Sequence, residues 1–215
     1  MKKLLYTFLA MGTLAAAPQA VVFDWGDVLA THDRAVIIQF MCETLHLSEA
    51  DFEKANLKKR KAIEAGQSDV DFWLQFAKEK GIVLGKQWPE SYEAILKKSV
   101  GADEEMASLV HELKEKEISV GLLSNINGRY AKIIRDLGFY DPFEPCLLSY
   151  DMGLEKPDPR VYQLLLEKLN LPAGEVVFID DKEENVEAAK KLGIDGVVFQ
   201  SAEQVRQALI DRELL

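Results

Sequence analysis

VVFDWGDVL, residues 21–29, begins as an apolar run and changes within one position into Asp24-Trp25-Gly26-Asp27. The unbroken apolar stretch Ala20–Phe23 reads as a strand buried on both faces, and the acidic turn as the loop at its C-terminal end. Later stretches repeat the pattern. Ile118–Leu123 (ISVGLL) ends at Ser124-Asn125, Val176–Ile179 (VVFI) ends at Asp180-Asp181, and shorter apolar runs fall at Cys146–Leu148 and Gly196–Phe199.

Between and after these strands lie stretches with helical spacing: Asp103–Lys116, Arg129–Leu137, Arg160–Leu169, Glu184–Leu192 and Ala202–Leu209. In the first, Met106, Leu109, Val110 and Leu113 fall on one face. Continuous apolar strands alternating with helices predict an α/β fold with a parallel sheet covered on both faces. Ligands of such sheets sit beyond the carboxyl ends of the strands. Asp24, Ser124 and Asp180-Asp181 are all placed there.

Residues 33–100 interrupt the alternation. Ala35–Leu45, Asp51–Ala65, Val70–Lys80 and Glu90–Lys98 read as helices, with breaks near Gly66, Gly81, Gly85 and Pro89. Ser48 and Ser68 each precede an aspartate by three residues (Asp51, Asp71), close to capping boxes. No strand-like alternation is visible, so this region is predicted to be an all-helical insertion. The core would then consist of residues 21–32 and 101–215.

The whole chain of 215 residues is 48% hydrophobic and 29% charged, which excludes a disordered or low-complexity polymer. A net charge of −10 argues against non-specific nucleic-acid binding and gives no hint of a membrane-surface partner. Cys42 and Cys146 are too few for a disulfide framework and lie in no zinc-ligand spacing. Residues 1–20 stand apart: Lys2 and Lys3, the apolar run Leu4–Ala17, then Pro18-Gln19-Ala20. This pattern predicts an export signal or anchor and a periplasmic or secreted destination, a cytoplasmic N-terminal extension being the alternative. The run is shorter than the roughly 20 residues of a comfortable transmembrane helix.

Adjacent carboxylates at the end of a buried strand repel each other and resist desolvation unless a cation compensates. Asp180-Asp181 with Asp24 therefore predicts an oxygen-only pocket for a divalent ion, of the kind that suits magnesium and phosphate chemistry. Ser124 and Asn125 add a hydroxyl, an amide and backbone N–H donors suited to phosphate oxygens. Lys156, in GLEKPDPRVY, precedes Pro157 and Pro159, which restrict its backbone as the chain enters the next helix. A lysine so placed can balance Asp24 and a bound phosphate.

Four segments in this order resemble the motifs of the haloacid dehalogenase superfamily of aspartyl-nucleophile hydrolases. They are FDWGDVL (Phe23–Leu29), LLSN (Leu122–Asn125), KPDP (Lys156–Pro159) and FIDDKEENVEAA (Phe178–Ala189). The resemblance implies a Rossmann-like doubly wound sheet whose helical insertion is a small cap. Its form is most similar to the sugar-phosphate branch, near the glucose-1-phosphate phosphatases. The implied activity is hydrolysis of a small phosphorylated metabolite, with Mg2+ as cofactor, by a monomer or homodimer. By the same resemblance Asp24 is the nucleophile and forms an aspartyl-phosphate. Asp24, the Gly26 carbonyl and Asp181 hold the ion, with Asp180 close by. Ser124, Asn125 and the backbone around Trp25 bind the phosphoryl group, Lys156 stabilises its charge, and Asn185 ties the metal loop.

One position departs from the pattern. Most phosphatases of the superfamily carry a second aspartate two residues after the nucleophile as general acid and base, and here that residue is Gly26. A positioned acid is worth roughly 10²–10⁴-fold in rate. Two other readings therefore stand beside the phosphatase: a catalytically weak phosphate- or ligand-binding protein, and a haloacid dehalogenase. The dehalogenase chemistry needs no metal, and the paired aspartates argue against it. Substrate choice is expected in the cap, where Phe72, Trp73, Phe76, Trp88 and Tyr92 are either lining or core. Trp25 is the expected substrate neighbour, and His32, His46 and His111 match no catalytic position.

Overall fold

A computed structural model describes residues 17–64 and 66–215. Most of the segment expected to direct export, residues 1–16 of 1–20, lies outside the described residues. Its last residue, Ala20, already belongs to the first strand and is fully buried. Among the described residues no helix is long and apolar enough to cross a membrane.

The chain runs β1 (Ala20–Phe23), β2 (Ala30–His32), α1 (Arg34–Leu45), α2 (Glu49–Glu64), α3 (Asp69–Glu79), α4 (Trp88–Ser99) and β3 (Val100–Ala102). There follow α5 (Glu104–Glu115), β4 (Ser119–Ser124), α6 (Gly128–Asp136), β5 (Cys146–Leu148), α7 (Ser149–Met152) and α8 (Pro159–Leu169). After a 3-10 turn at Ala173–Glu175 come β6 (Val176–Asp180), α9 (Glu183–Lys190), β7 (Asp195–Val198) and α10 (Ala202–Ile210).

The expected α/β architecture is present. Five strands form one parallel sheet in the order β5-β4-β1-β6-β7. The chain moves outward from β1 through β4 and β5, then returns to its other side for β6 and β7. This reversal makes the end of β1 the topological switch point, where ligands of open α/β sheets bind.

Period-two alternation distributes β1 between the two faces. Val21 and Phe23 join one core with Met106, Leu109 and Leu113 of α5, Ile134 of α6 and Leu209 of α10. Ala20 and Val22 join the other, with Val161, Tyr162 and Leu165 of α8 and Ala189 of α9. Each large apolar side chain fully withdrawn from water contributes about 1.5–3 kcal/mol. The central strands are thus held from both sides, and the loops at their ends rest on a fixed frame.

The insertion is helical, with its own core of Met41, Leu45, Phe52, Trp73, Trp88, Tyr92 and Leu96. Ile133 of α6 completes that core, so the cap is seated on the sheet domain. Both serine-led starts form. Ser48 Oγ accepts from Asp51 N at 3.2 Å and donates to its carboxylate at 2.8 Å, and Ser68 does the same with Asp71 at 3.1 and 2.6 Å. What the sequence did not reveal is an antiparallel ribbon joining cap to core, with Ala30, Thr31 and His32 opposite Ala102, Gly101 and Val100. The cap helices therefore occupy 34–99, and Val100 is part of the ribbon.

Candidate active site

Asp24 follows β1 and is anchored by its backbone, its N–H donating to Ile179 O at 2.8 Å. Two buried neighbours share one lysine. Lys156 Nζ donates to Asp24 Oδ1 at 2.8 Å, to Asp180 Oδ2 at 2.6 Å and to the Leu123 carbonyl at 2.7 Å. All three ammonium donors are thereby used, and the side chain of Lys156 is only 1% exposed. The residue is held by its backbone as well. Its N–H donates to Asn125 Oδ1 and its carbonyl accepts from Asn125 Nδ2, each at 2.8 Å.

Asp180 ends β6 with no solvent exposure. Besides Lys156, its carboxylate accepts from Lys182 N at 2.8 Å and from Asn185 Nδ2 at 2.9 and 3.1 Å. Asn185 is fixed in turn, its carbonyl accepting from Tyr162 Oη at 2.8 Å. Asp181 is half-buried and makes no side-chain hydrogen bond to another of the described residues. Ligand atoms of Asp24, Asp180 and Asp181 all lie within 4.8 Å of one another.

These surroundings bias the acids. Burial raises the Asp24 carboxyl above the usual carboxylate range; Lys156 opposes that shift and the charge of Asp180 adds to it. Asp181 is raised for the same first reason, burial, with Asp180 again adding to the shift. Three carboxylates with one ammonium leave excess negative charge in a poorly solvated place. An oxygen-rich site of this charge fits a hard divalent cation such as Mg2+. Among the described residues, Asp24 Oδ2 and the Asp181 carboxylate are the oxygens that no other side chain engages, whereas both oxygens of Asp180 are already used.

The remaining sequence-predicted residues divide. Ser124, the last residue of β4, is 2% exposed and its hydroxyl makes no hydrogen bond among the described residues, leaving it able to serve a ligand. The expectation for Asn125 is revised: its amide is occupied with the peptide of Lys156, so the side chain positions the lysine. Trp25 is also revised. Its ring lies in the sheet core, 3% exposed, with centroids 5.6 Å from Phe139 and 5.5 Å from Tyr140, so only its backbone can face the site. Period two already placed Trp25 with Val21 and Phe23, on the core side. Gly26 has no positive φ, and a Cβ built there would meet Asp24 Oδ2 at 3.8 Å, so there is room for a side chain. The Leu123 carbonyl was not anticipated, because a backbone acceptor leaves no mark on residue type.

The haloacid dehalogenase-like hydrolase profile matches residues 18–193. The chain belongs to that family. It is 28% identical over 183 residues to the sesquiterpene phosphatase astK of Aspergillus oryzae, covering 83% of this chain and 88% of the relative. It is 25% identical over 201 residues to the D-ribitol-5-phosphate phosphatase of Bacteroides thetaiotaomicron, covering 88% and 95%. A family enzyme from the same bacterium, solved with magnesium and inorganic phosphate, superposes with a TM-score of 0.63 at 24% identity, over 85% of this chain and 94% of that one. That likeness concerns the fold. Family membership makes the chain a hydrolase, and Lys156 between Asp24 and Asp180 lies at the end of the strands where its chemistry is expected.

Proposed function

We propose that this protein is a Mg2+-dependent phosphomonoester hydrolase that acts on a small phosphorylated metabolite through Asp24. The observation that carries the reading is the buried triangle of Asp24, Lys156 and Asp180, with Asp181 beside it. A structural ion pair needs one carboxylate per lysine. Three carboxylates at a switch point, with an unengaged serine hydroxyl facing the same strand edge, are better accounted for by a ligand that brings positive charge and phosphate oxygens together.

Each residue then has a task. Lys156 fixes Asp24 by one oxygen and keeps its carboxylate aimed out of the sheet. One Asp24 oxygen attacks phosphorus as the P–O bond to the leaving group breaks, giving an aspartyl-phosphate. Water then attacks that phosphorus, the acyl–phosphate bond breaks, and inorganic phosphate leaves with Asp24 restored. Ser124 holds a phosphoryl oxygen through both steps, and Lys156, its three donors kept by Asp24, Asp180 and the Leu123 carbonyl, stabilises the phosphoryl charge from its fixed position, the electrostatic contribution usually largest in such sites. Asp24, Asp181 and the Gly26 carbonyl hold the magnesium ion, which neutralises phosphoryl charge when bound.

Without an acid at residue 26, the departing oxygen draws its proton from water. The reading therefore favours substrates whose leaving groups are stable as anions. Sugar phosphates, the class the sequence resemblance implies, leave as alkoxides and are therefore expected to turn over more slowly here than aryl phosphates. We also propose that residues 1–20 direct export. The covalent step is tested by acid-quenching the enzyme during turnover of p-nitrophenyl phosphate and reducing it with borohydride. Conversion of Asp24 to homoserine, found by mass spectrometry, is the expected result. Turnover with no modification at Asp24 would remove the mechanism.

A further inference from the structure

The ladder between β4 and β5 ends with Ser124 opposite Leu148. One residue on, β5 passes into the four-residue helix α7, and β4 into the loop that leads to α6. A side chain continues the ladder where the backbone stops. Ser149 Oγ accepts from Ile126 N at 2.9 Å and donates to Ile126 O at 3.2 Å. Ile126 is half-buried against the sheet core, where unpaired peptide groups would be costly. A hydroxyl is donor and acceptor at one atom, so this single oxygen serves both. It is not spent on its own helix, since α7 has no side-chain cap.

The same helix meets the loop again. A Cβ at Gly128 would fall 2.4 Å from the ring of Tyr150, so the ring takes the place of a side chain there. The rest of the loop is held from other directions. Asn125 grips the Lys156 peptide, and Asn127 Oδ1 caps α6 by accepting from Tyr130 N at 3.1 Å. Residues 125–128 are therefore each fixed, and they follow directly on Ser124. Ser124 is 2% exposed, and its hydroxyl is bonded to nothing among the described residues. A group that must meet a ligand from a fixed backbone depends on the residues that lock that backbone.

We propose that Ser149 is a positioning residue for the phosphoryl site. Through the Ile126 peptide it fixes the direction in which Ser124 presents its hydroxyl, acting on Ser124 rather than on the substrate. This rests on the hydrolase reading, in which Ser124 holds a phosphoryl oxygen, and extends it to a residue outside the four motif segments.

Phosphate binding reads this without turnover. Calorimetric titration of the full chain with inorganic phosphate, magnesium present, would compare the parent with Ser149→Ala, Ser149→Cys, Ser149→Thr, Ser124→Ala and the double variant Ser124→Ala with Ser149→Ala. Loss of a hydrogen bond to an anion predicts that Ser124→Ala weakens phosphate roughly 10-fold. Ser149→Ala is expected to reproduce most of that loss, and Ser149→Thr, which keeps the hydroxyl, to stay close to the parent. Ser149→Cys, a milder change with a weakly bonding thiol, should fall between them. In the Ser124→Ala background, Ser149→Ala should change affinity by less than about 2-fold, because both substitutions act through one hydroxyl. A general loosening of the fold would instead cost the same in both backgrounds, and urea unfolding records the stability of each variant. Parent-like affinity in both Ser149→Ala and Ser149→Cys, an equal loss in the two backgrounds, or no phosphate binding by the parent would overturn the proposal. Release from p-nitrophenyl phosphate by the parent and by Asp24→Asn tests the hydrolase reading separately. Phosphate that binds in the predicted pattern without any release would remove the hydrolase and leave the positioning role standing.

Discussion

The amide of Asn125 makes two hydrogen bonds to the peptide of Lys156, one donated and one accepted, each at 2.8 Å across 31 residues of chain. The bonds join the loop after β4 to the loop before α8. They hold the backbone whose side chain spans Asp24, Asp180 and the Leu123 carbonyl. Asn125 therefore positions the cation of the site without being aimed at substrate.

Asn125→Ala is expected to lower kcat by about 10-fold or more, because small displacements of a charge-stabilising group are costly. Two partly buried bonds are lost, each worth about 1 kcal/mol net, so urea unfolding should show a loss near 2 kcal/mol. Unchanged kcat alongside that loss of stability would show that Lys156 is held without it.

Gly26 supplies a gain-of-function test. Its backbone is not left-handed and a side chain there has room beside Asp24 Oδ2. Gly26→Asp is expected to raise turnover of alkyl phosphates by roughly 10²-fold, the lower end of what a positioned acid contributes. p-Nitrophenyl phosphate, whose leaving group needs little protonation, should gain much less. Equal effects on both substrate types would show that the new carboxyl does not act as an acid.

The motifs and the sheet were legible because continuous apolar strands end abruptly in polar residues, as at Phe23-Asp24 and Ile179-Asp180. The four cap helices were legible from periodicity and serine starts. The ribbon was not: Ala30–His32 and Val100–Ala102 are too short to show alternation, and their pairing depends on a contact spanning the whole cap. The roles of Asn125 and the Leu123 carbonyl were hidden for a related reason, since each depends on a distant backbone. Trp25 was misjudged through its neighbour: proximity to Asp24 in sequence outweighed the strand parity that turns its ring into the core.

Cap seating depends on a pair that no motif marks. Asp69 of α3, its side chain 7% exposed, lies 2.6 Å from Arg129 Nε on α6. Removing one partner of a buried pair leaves an uncompensated charge, so Arg129→Met is expected to cost about 3 kcal/mol in urea unfolding. Adding Asp69→Asn should recover part of it. A double variant no more stable than Arg129→Met would show that the charge of Asp69 is not what Arg129 offsets.

Cys146 is the wrong group for a thiol nucleophile. Burial pushes its thiol up to about 11, so thiolate appears only as pH rises toward that value. At pH 8, alkylation of the native protein at Cys146 should be slower than in urea by roughly 100-fold, since the thiolate is the reacting species. Comparable rates in both states would contradict this.

The most direct measurement is phosphate release from p-nitrophenyl phosphate and a panel of sugar phosphates, with and without magnesium, by the parent chain and by Asp24→Asn. Release that requires magnesium and disappears in Asp24→Asn is the predicted result. Release that is equal in the two proteins, or absent on every substrate in both, would contradict a phosphatase built on Asp24.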